Sequence, residues 1–351
     1  MRLETRLLWS DRSTVALIAL VPVIQVLLFG AAVNLDPKDL TLTISANEPE
    51  LSLVRSAARA SGYFARIDTL DDRTAAAANA QRGPAPVAVD WHEDGVRIIA
   101  DASDPASTRP AATALAMALH RELASRAGAA LGIEPAAHNL APQLQWRYNP
   151  DARSSWSLTP GLVGVIVMIS MLLLGALTLV REREQGTWEA LLSTAADGID
   201  ALVGKLAPYL LAGVLQAAAV AAAAHLFFDV PVSGSPGTLL LAAALLAAAH
   251  LLLGFALSAI ATTQLQAVQS AVFFYLPSML LSGFMFPFAG MPRWAQAIGE
   301  CLPLTHFVRI ARGVMLRGDS LQALLPEFWP IAAFACLAAG LALLTYRRHL
   351  T

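Results

Sequence analysis

The chain has 351 residues, 56% of them hydrophobic and 14% charged. Soluble globular domains run near 45–50% apolar and about 25% charged, so the balance predicts a membrane protein with one sizeable soluble part. A net charge of −2 argues against nucleic acid, two cysteines (Cys301 and Cys336) exclude a disulfide scaffold, and seven scattered histidines lack metal-ligand spacing.

Residues 1–13 interleave Arg2, Arg6 and Arg12 with Leu3, Leu7, Leu8 and Trp9. This predicts a short interfacial helix with tryptophan at headgroup depth. Residues 14–33 carry no charge. About twenty apolar residues cross roughly 30 Å of hydrocarbon, so this is the first predicted span. The arginines before it place the N-terminus in the cytoplasm. A cleaved signal peptide, with Gly30-Ala31-Ala32 as a weak cleavage site, is the rival, but the apolar run exceeds the roughly 7–15 residues usual there.

Residues 34–156 change character, with 12 of the 24 Lys and Arg and 15 of the 26 Asp and Glu. Leu40, Leu42 and Ile44 alternate within 40–45, as in a half-buried strand. Residues 49–62 predict a helix ending on Gly62, 63–70 a strand, and 71–83 a helix capped by Asp71 or Asp72. Residues 86–101 predict a hairpin turning at Asp94-Gly95, with His92, Glu93 and Asp94 as its solvated tip. A long Ala-rich helix over 104–128 and a Pro/Asn/Trp-rich return over 134–156 complete an α/β domain large enough for its own core.

Further apolar runs at 158–180, 206–228, 237–260, 267–288 and 329–346 predict five more spans, the fifth of the six kinked at Pro277 and Gly283. The predicted fold is an α-helical polytopic membrane protein with six transmembrane helices and an extracytoplasmic α/β domain (34–156) inserted between helices 1 and 2. Within 157–346, a polar loop at 181–205 faces the cytoplasm, as does the tail 347–351. Arg2, Arg6, Arg12, Arg181, Arg183, Lys205, Arg347 and Arg348 then share that side, as the positive-inside rule asks. Residues 289–325 fall outside by parity. They read as two amphipathic helices broken at Pro303 that re-enter the membrane part-way, which needs protein or a cavity to cover the backbone. The alternative, a full span over 297–316, would bury Glu300, Arg309 and Arg312.

Gly198 and Gly204-Lys205-Leu206 resemble a phosphate-binding loop, but five residues separate the glycines and Leu206 stands where Ser or Thr is required. His225, His250, Gln25 and Gln216 fall within spans; such groups are candidates for a transport pathway or for hydrogen bonds between helices. In 181–194, Arg181, Glu182, Arg183 and Glu184 alternate in sign and can pair at i,i+3 spacing. Gly186 permits a break, after which Trp188, Leu191 and Leu192 fall on one helical face. That face reads equally as a membrane anchor or as a knob for a partner's groove.

Three stretches resemble the membrane permease subunit of type-2 ABC exporters, in the drug- and ion-efflux branch with a large periplasmic insert. REREQGTWEALLSTA (181–195) is similar to that family's charged run, Gly-Thr and helix. SMLLSGFMFPFAGMPRWAQAIGECLPLTHFVRIARGVMLRG (278–318) is similar to its most diagnostic region, and DASDPASTRPA (101–111) to its acidic turn before a long helix. With the order of spans, the likeness covers essentially the whole chain.

The resemblance implies a non-enzymatic subunit of the bacterial inner membrane, both termini cytoplasmic, that binds no cofactor itself. ATP and Mg would be used by two separate ATPase subunits. Coupling to them would run through Arg181, Glu182, Arg183, Glu184, Gln185, Gly186, Thr187, Trp188, Glu189, Leu191 and Leu192, with a coupling helix around 187–194. Pro287, Met291, Pro292, Pro303, Arg309 and Arg312 would belong to an external re-entrant gate; His225, His250 and Gln216 stand as pathway candidates only as polar groups within spans. A second permease, as homodimer or heterodimer, is implied, with a periplasmic adaptor and an outer-membrane channel as further partners. The substrate would be drug-like, lipidic or ionic. One departure is Ala195-Ala196-Asp197, where the family often has proline. The competing reading is an ATP-independent membrane sensor or assembly factor whose external domain binds a ligand. An intramembrane enzyme finds no paired carboxylates, Ser/His dyad or metal motif.

Overall fold

Alternation of Leu40, Leu42 and Ile44 buries all three, because β1 (Leu40–Ser45) has a neighbour on each side. The structure is a computed structural model, and it describes residues 39–69, 86–92, 95–131, 141–151, 153–186 and 198–347. After β1 come α1 (Glu50–Ser61), β2 (Phe64–Thr69), β3 (Val87–His92), β4 (Gly95–Asp101), α2 (Pro105–Leu131) and β5 (Gln143–Arg147). The strands form one sheet in the order β2-β1-β3-β4-β5. β1 runs parallel to β2 and β3, β3 and β4 form the antiparallel hairpin, and β5 lies parallel to β4. Leu42, Ile44, Val89 and Ile98 share a core with Leu53 and Val54 of α1 and Leu115 and Leu119 of α2.

The expected strands at 40–45 and 63–70, the helix at 49–62, the hairpin and the long helix are all present. The predicted helix at 71–83 and the hairpin tip at Glu93-Asp94 lie outside the described residues. The return segment contains β5, which its composition did not disclose. Its strand is an edge, with Gln143, Leu144 and Gln145 exposed, so little apolar alternation marks it. The Arg109 guanidinium stacks over Trp146 at 5.4 Å, which ties β5 to α2.

Helices make up the described part of the second unit, five of them long and two short. They are α3 (Ser154–Glu184), α4 (Gly198–Phe228), α5 (Pro236–Ile260), α6 (Gln264–Leu281), α7 (Arg293–Gly299), α8 (Pro303–Arg312) and α9 (Leu321–Arg347). The described residues divide into two compact units: those within 34–157 and 286–292 form one, and those within 158–285 and 293–347 belong to the other. Among the described residues, four helices are long and apolar enough to cross a membrane: Ser155–Glu184, Leu206–Phe228, Pro236–Ile260 and Leu321–Thr345. The predicted first span, 14–33, lies outside the described residues, as does the interfacial segment 1–13.

The predicted fifth span, 267–288, needs its end corrected. α6 stops at Leu281, and its 18 residues rise only about 27 Å. Gln264, Gln266 and Gln269 dilute its first half, and it is not among the four candidate spans. Gly283 has φ +77°, outside the right-handed helical region, so it terminates the helix where a kink was expected. The chain then forms a 3-10 turn at Phe288–Gly290.

Within the helical unit, α3 and α5 cross at Gly175 and Gly254, each lying against the other's backbone. Small residues let two backbones approach where lipid supplies no hydrophobic drive to pack. α8 seats Phe307 over Gly164 of α3, and Leu304 and Val308 pack on Val165 and Met168. A π turn at Gly313–Arg317 follows α8. Its carbonyls are taken up by the Pro/Gly/Ser turn before α5: Ser233 N–H donates to Met315 O at 3.1 Å, and Gly234 N–H to Val314 O at 2.8 Å.

Candidate functional site

Two polar constellations interrupt the apolar helices. The first is at the end of α3. Its last turn carries Arg181, Glu182, Arg183 and Glu184, and Gly186 follows with φ +72°, which breaks the helix as the sequence suggested. Arg183 and Glu184 reach out of the helix. Arg183 Nη1 donates to the carbonyls of Ala259 (3.3 Å) and Ala261 (3.5 Å), at the end of α5. Glu184 Oε1 accepts from the backbone N–H of Gln264 at 2.8 Å, and Oε2 accepts from its side-chain amide.

Helix ends leave carbonyls unpaired at the C-terminus and N–H groups unpaired at the N-terminus, with partial charges to match. The cation therefore meets the C-terminal end of α5, and the anion meets the N-terminal end of α6. Thr263 and Gln266 complete a local cap: the Thr263 hydroxyl accepts from Gln266 N–H, and Gln266 Oε1 accepts from Thr262 N–H at 2.8 Å. Ser258 Oγ adds a buried tie by accepting from the N–H groups of Leu179 and Val180. Thr187, Trp188, Glu189, Leu191 and Leu192 lie outside the described residues.

The second constellation is in the hairpin between α6 and α9. Two short helices, α7 and α8, flank the break before Pro303, as expected; Pro303 is the first residue of α8. Pro303 is tolerated there because a first-turn N–H needs no partner. His306 and Arg309 sit one turn apart on α8. Arg309 grips Glu300 with two nitrogens, Nη2–Oε1 at 2.5 Å and Nη1–Oε2 at 3.0 Å, and reaches Glu327 of α9 at 3.4 Å. His306 Nδ1 lies 2.6 Å from Glu327 Oε2, and its Nε2 lies 2.9 Å from the Glu300 carbonyl.

Both partners of His306 offer acceptor oxygens, an arrangement that favours the doubly protonated, cationic ring. Burial alone would lower the pKa of His306. The hydrogen bonds to Glu327 and the Glu300 carbonyl outweigh that, and the pKa lies above its ordinary value despite the nearby Arg309 charge. Two cations and two anions thus balance across α7, α8 and α9. Arg312 Nη2 donates to the Gly283 carbonyl at 3.3 Å, tying α8 to the turn after α6.

Pro303, Arg309 and Arg312 thus sit on one helix. Pro287, Met291 and Pro292 fall in 286–292, which groups with the α/β unit. Of the four intramembrane candidates Gln25 lies outside the described residues, and the other three do not converge on one feature. Gln216 donates to Ser170 Oγ on α3 at 2.9 Å, a bond between helices. His225 Nδ1 lies 3.0 Å from the Val230 carbonyl. His250 is fully buried, with Nδ1 2.9 Å from the Leu246 carbonyl and its ring beside Phe274 and Phe334. Among the described residues no group of His, Cys, Asp and Glu is arranged to hold a metal.

Sequence reasoning missed His306, Glu327, Ser258 and Gln264. His306 and Arg309 at i,i+3, with acids on both flanks, were a usable signal. Glu327 was lost because the last span was started at 329, two turns inside the true helix.

Residues 133–316, more than half the chain, match the family described as ABC-2 type transporter. The probable multidrug ABC transporter permease YbhR of Escherichia coli K12 is 27% identical over 365 aligned positions, covering 99% of this chain and 97% of the relative. The probable multidrug ABC transporter permease YbhS of the same organism is 27% identical, covering 99% and 95%. The inner membrane transport permease YhhJ, also from that strain, is 28% identical over 208 positions, covering 59% and 55%. No solved structure matches the chain. The match across the α3–α8 region and the near end-to-end likeness to two permeases lead to one assignment: the chain belongs to the ABC-2 type transporter family and is an ABC transporter permease subunit.

Proposed function

We propose that this permease is the membrane half of an ATP-driven exporter of the bacterial inner membrane, moving drug-like, lipidic or ionic substrates outward. The carrying observation is the alignment of nearly the whole chain with two proteins named as multidrug permeases. Its 351 residues hold no phosphate-binding loop of their own, so work against a gradient needs energy from a partner. Separate ATPase subunits, using ATP and Mg, bind the segment after Gly186. Two permeases pair, and substrate leaves between them past the hairpin built on α7 and α8. With 14–33 as the first span and the short α6 as the fifth, six spans put both termini in the cytoplasm and the α/β domain outside.

Purification from native membranes tests the partnership. An ATPase subunit is expected to co-purify, with a second permease; an adaptor and outer-membrane channel are further expected partners. Recovery without any ATPase would favour the sensor reading. Trp188→Asp with Leu191→Asp is expected to leave insertion intact and reduce ATPase recovery at least about tenfold, because a charge on an apolar knob cannot seat in a groove. Equal recovery would remove the coupling role from 187–194.

Topology has its own test. Cys301 and Cys336 are exposed thiols and must first be replaced by serine. Asp94→Cys and Asp197→Cys are then labelled in intact cells with a membrane-impermeant maleimide. Position 94 is expected to react and position 197 to stay unlabelled. Equal labelling would overturn the proposed orientation.

A further inference from the structure

The end of α3 points to a division of labour inside the stretch that the sequence treats as one coupling element. We propose that Arg183 and Glu184 are positioning residues that clamp the α5–α6 turn onto α3, so that displacement of the segment after Gly186 is delivered to α6 as well as to α3. The inference rests on the proposed function and specifies where the movement goes.

Three observations carry it. Arg183 and Glu184 bond to opposite ends of a two-helix turn, at Ala259, Ala261 and Gln264, residues 76 to 80 positions away. The order of charges matches the order of helix ends: a cation on the last carbonyls of α5, an anion on the first N–H of α6. Ser258 secures the same junction from within the apolar layer through the N–H groups of Leu179 and Val180. Below the junction, Leu172, Ala176 and Val180 of α3 pack with Ala267 and Ala271 of α6. The α3 end and the start of α6 are thus joined by polar bonds at the tip and by small-residue packing beneath. Two residues separate Glu184 from Thr187, where the proposed ATPase contact begins. A push on that contact therefore meets the clamp within one turn of helix.

The test is hydrogen exchange on the full permease–ATPase complex, with and without a non-hydrolysable ATP analogue. In the wild type, the analogue is expected to change exchange in both 187–194 and 264–270. Glu184→Ala, and the exchanged pair Arg183→Glu with Glu184→Arg, are expected to keep the change in 187–194 and lose that in 264–270. The exchanged pair conserves net charge and composition, so its failure isolates the match of charge to helix end. In the permease alone, Glu184→Ala should speed exchange of the Gln264 amide about tenfold, since that N–H loses its acceptor. Glu184→Gln keeps an oxygen for that amide and should retain at least about half of the analogue-driven change.

The clamp is overturned by a wild-type response confined to 187–194. It is equally overturned by an unaltered 264–270 response in Glu184→Ala, or by equal loss in Glu184→Gln and Glu184→Ala. A wild-type permease that recruits no ATPase removes the proposed function and this inference with it. That outcome is distinct from a complex that forms and responds without the clamp.

Discussion

Gly254→Ala is expected to destabilise the detergent-solubilised permease by about 3 kcal/mol, the upper end of what overpacking costs. The added Cβ would collide with the Leu172 carbonyl oxygen and lie 2.8 Å from the Ala176 nitrogen. Both are backbone atoms of a helix and have no rotamer to escape into. The reciprocal change, Gly175→Ala, collides with the Leu251 carbonyl and meets Phe255 N at 2.9 Å. The two replacements should combine at less than the sum of their costs, because the first already forces α3 and α5 apart. Gly340→Ala is the control: nothing lies within 4 Å of its Cβ, and a helical Gly→Ala there should be neutral or stabilise by up to about 1 kcal/mol. Thermal unfolding followed by intrinsic fluorescence reads all four. A Gly254→Ala melting temperature equal to that of Gly340→Ala would refute the close crossing.

The second large effect is expected at Glu327. Replacement by leucine strands the His306 and Arg309 cations with Glu300 as their remaining acid. Breaking a fully buried pair costs about 3–5 kcal/mol; Glu327 retains 26% exposure and Arg309 33%, so about 2–3 kcal/mol is expected. Glu327→Gln keeps shape and an acceptor oxygen, and should cost about half as much.

The pH dependence gives an independent reading. The folded pKa of His306 is raised, so its contribution to stability is complete below its unfolded value of about 6.5 and is lost as pH climbs through the folded value. Wild-type melting temperature should therefore fall as pH rises above about 6.5, and the fall should flatten in Glu327→Gln and in His306→Gln. A wild-type slope that persists unchanged in both variants would show that another group titrates. The cluster also bears on the proposed gate: α8 is bonded to α7 through Glu300 and to α9 through Glu327, so opening the hairpin must break or carry these pairs together.

How much of this was legible beforehand depends on the distance over which each feature is decided. β1, α1, the β3–β4 hairpin and the cores of four spans follow from period-two alternation, period-free apolar runs and punctuation by Gly62 or by the 229–235 turn. Each is settled among residues a few positions apart, where the preferences of neighbouring side chains suffice. The charged run at 181–184 and the helix break at Gly186 were visible for the same reason. So was the two-helix hairpin broken at Pro303, and so was the family, carried by 278–318.

Tertiary structure decided the rest. β5 is a strand because β4 offers a free edge, and its pairing with residues 97–101 crosses the whole of α2. α6 ends at Leu281 because Gly283 turns to positive φ while Arg312, 29 residues on, holds its carbonyl. Arg183 and Glu184 look on paper like partners for their own helix; apart from the Gln264 side-chain amide, the groups they meet here are backbone groups of a turn nearly eighty residues away. Backbone groups carry almost no sequence signature, so no pattern of side chains could have named Ala259 or Ala261. The same holds for Gly175 and Gly254: their identity as small residues was plain, but that each faces the other's backbone is a property of how two helices cross. By itself the sequence determined most of the segments that form helices and strands, and the family they belong to. The packing of those segments alone decided which helix end each charge serves.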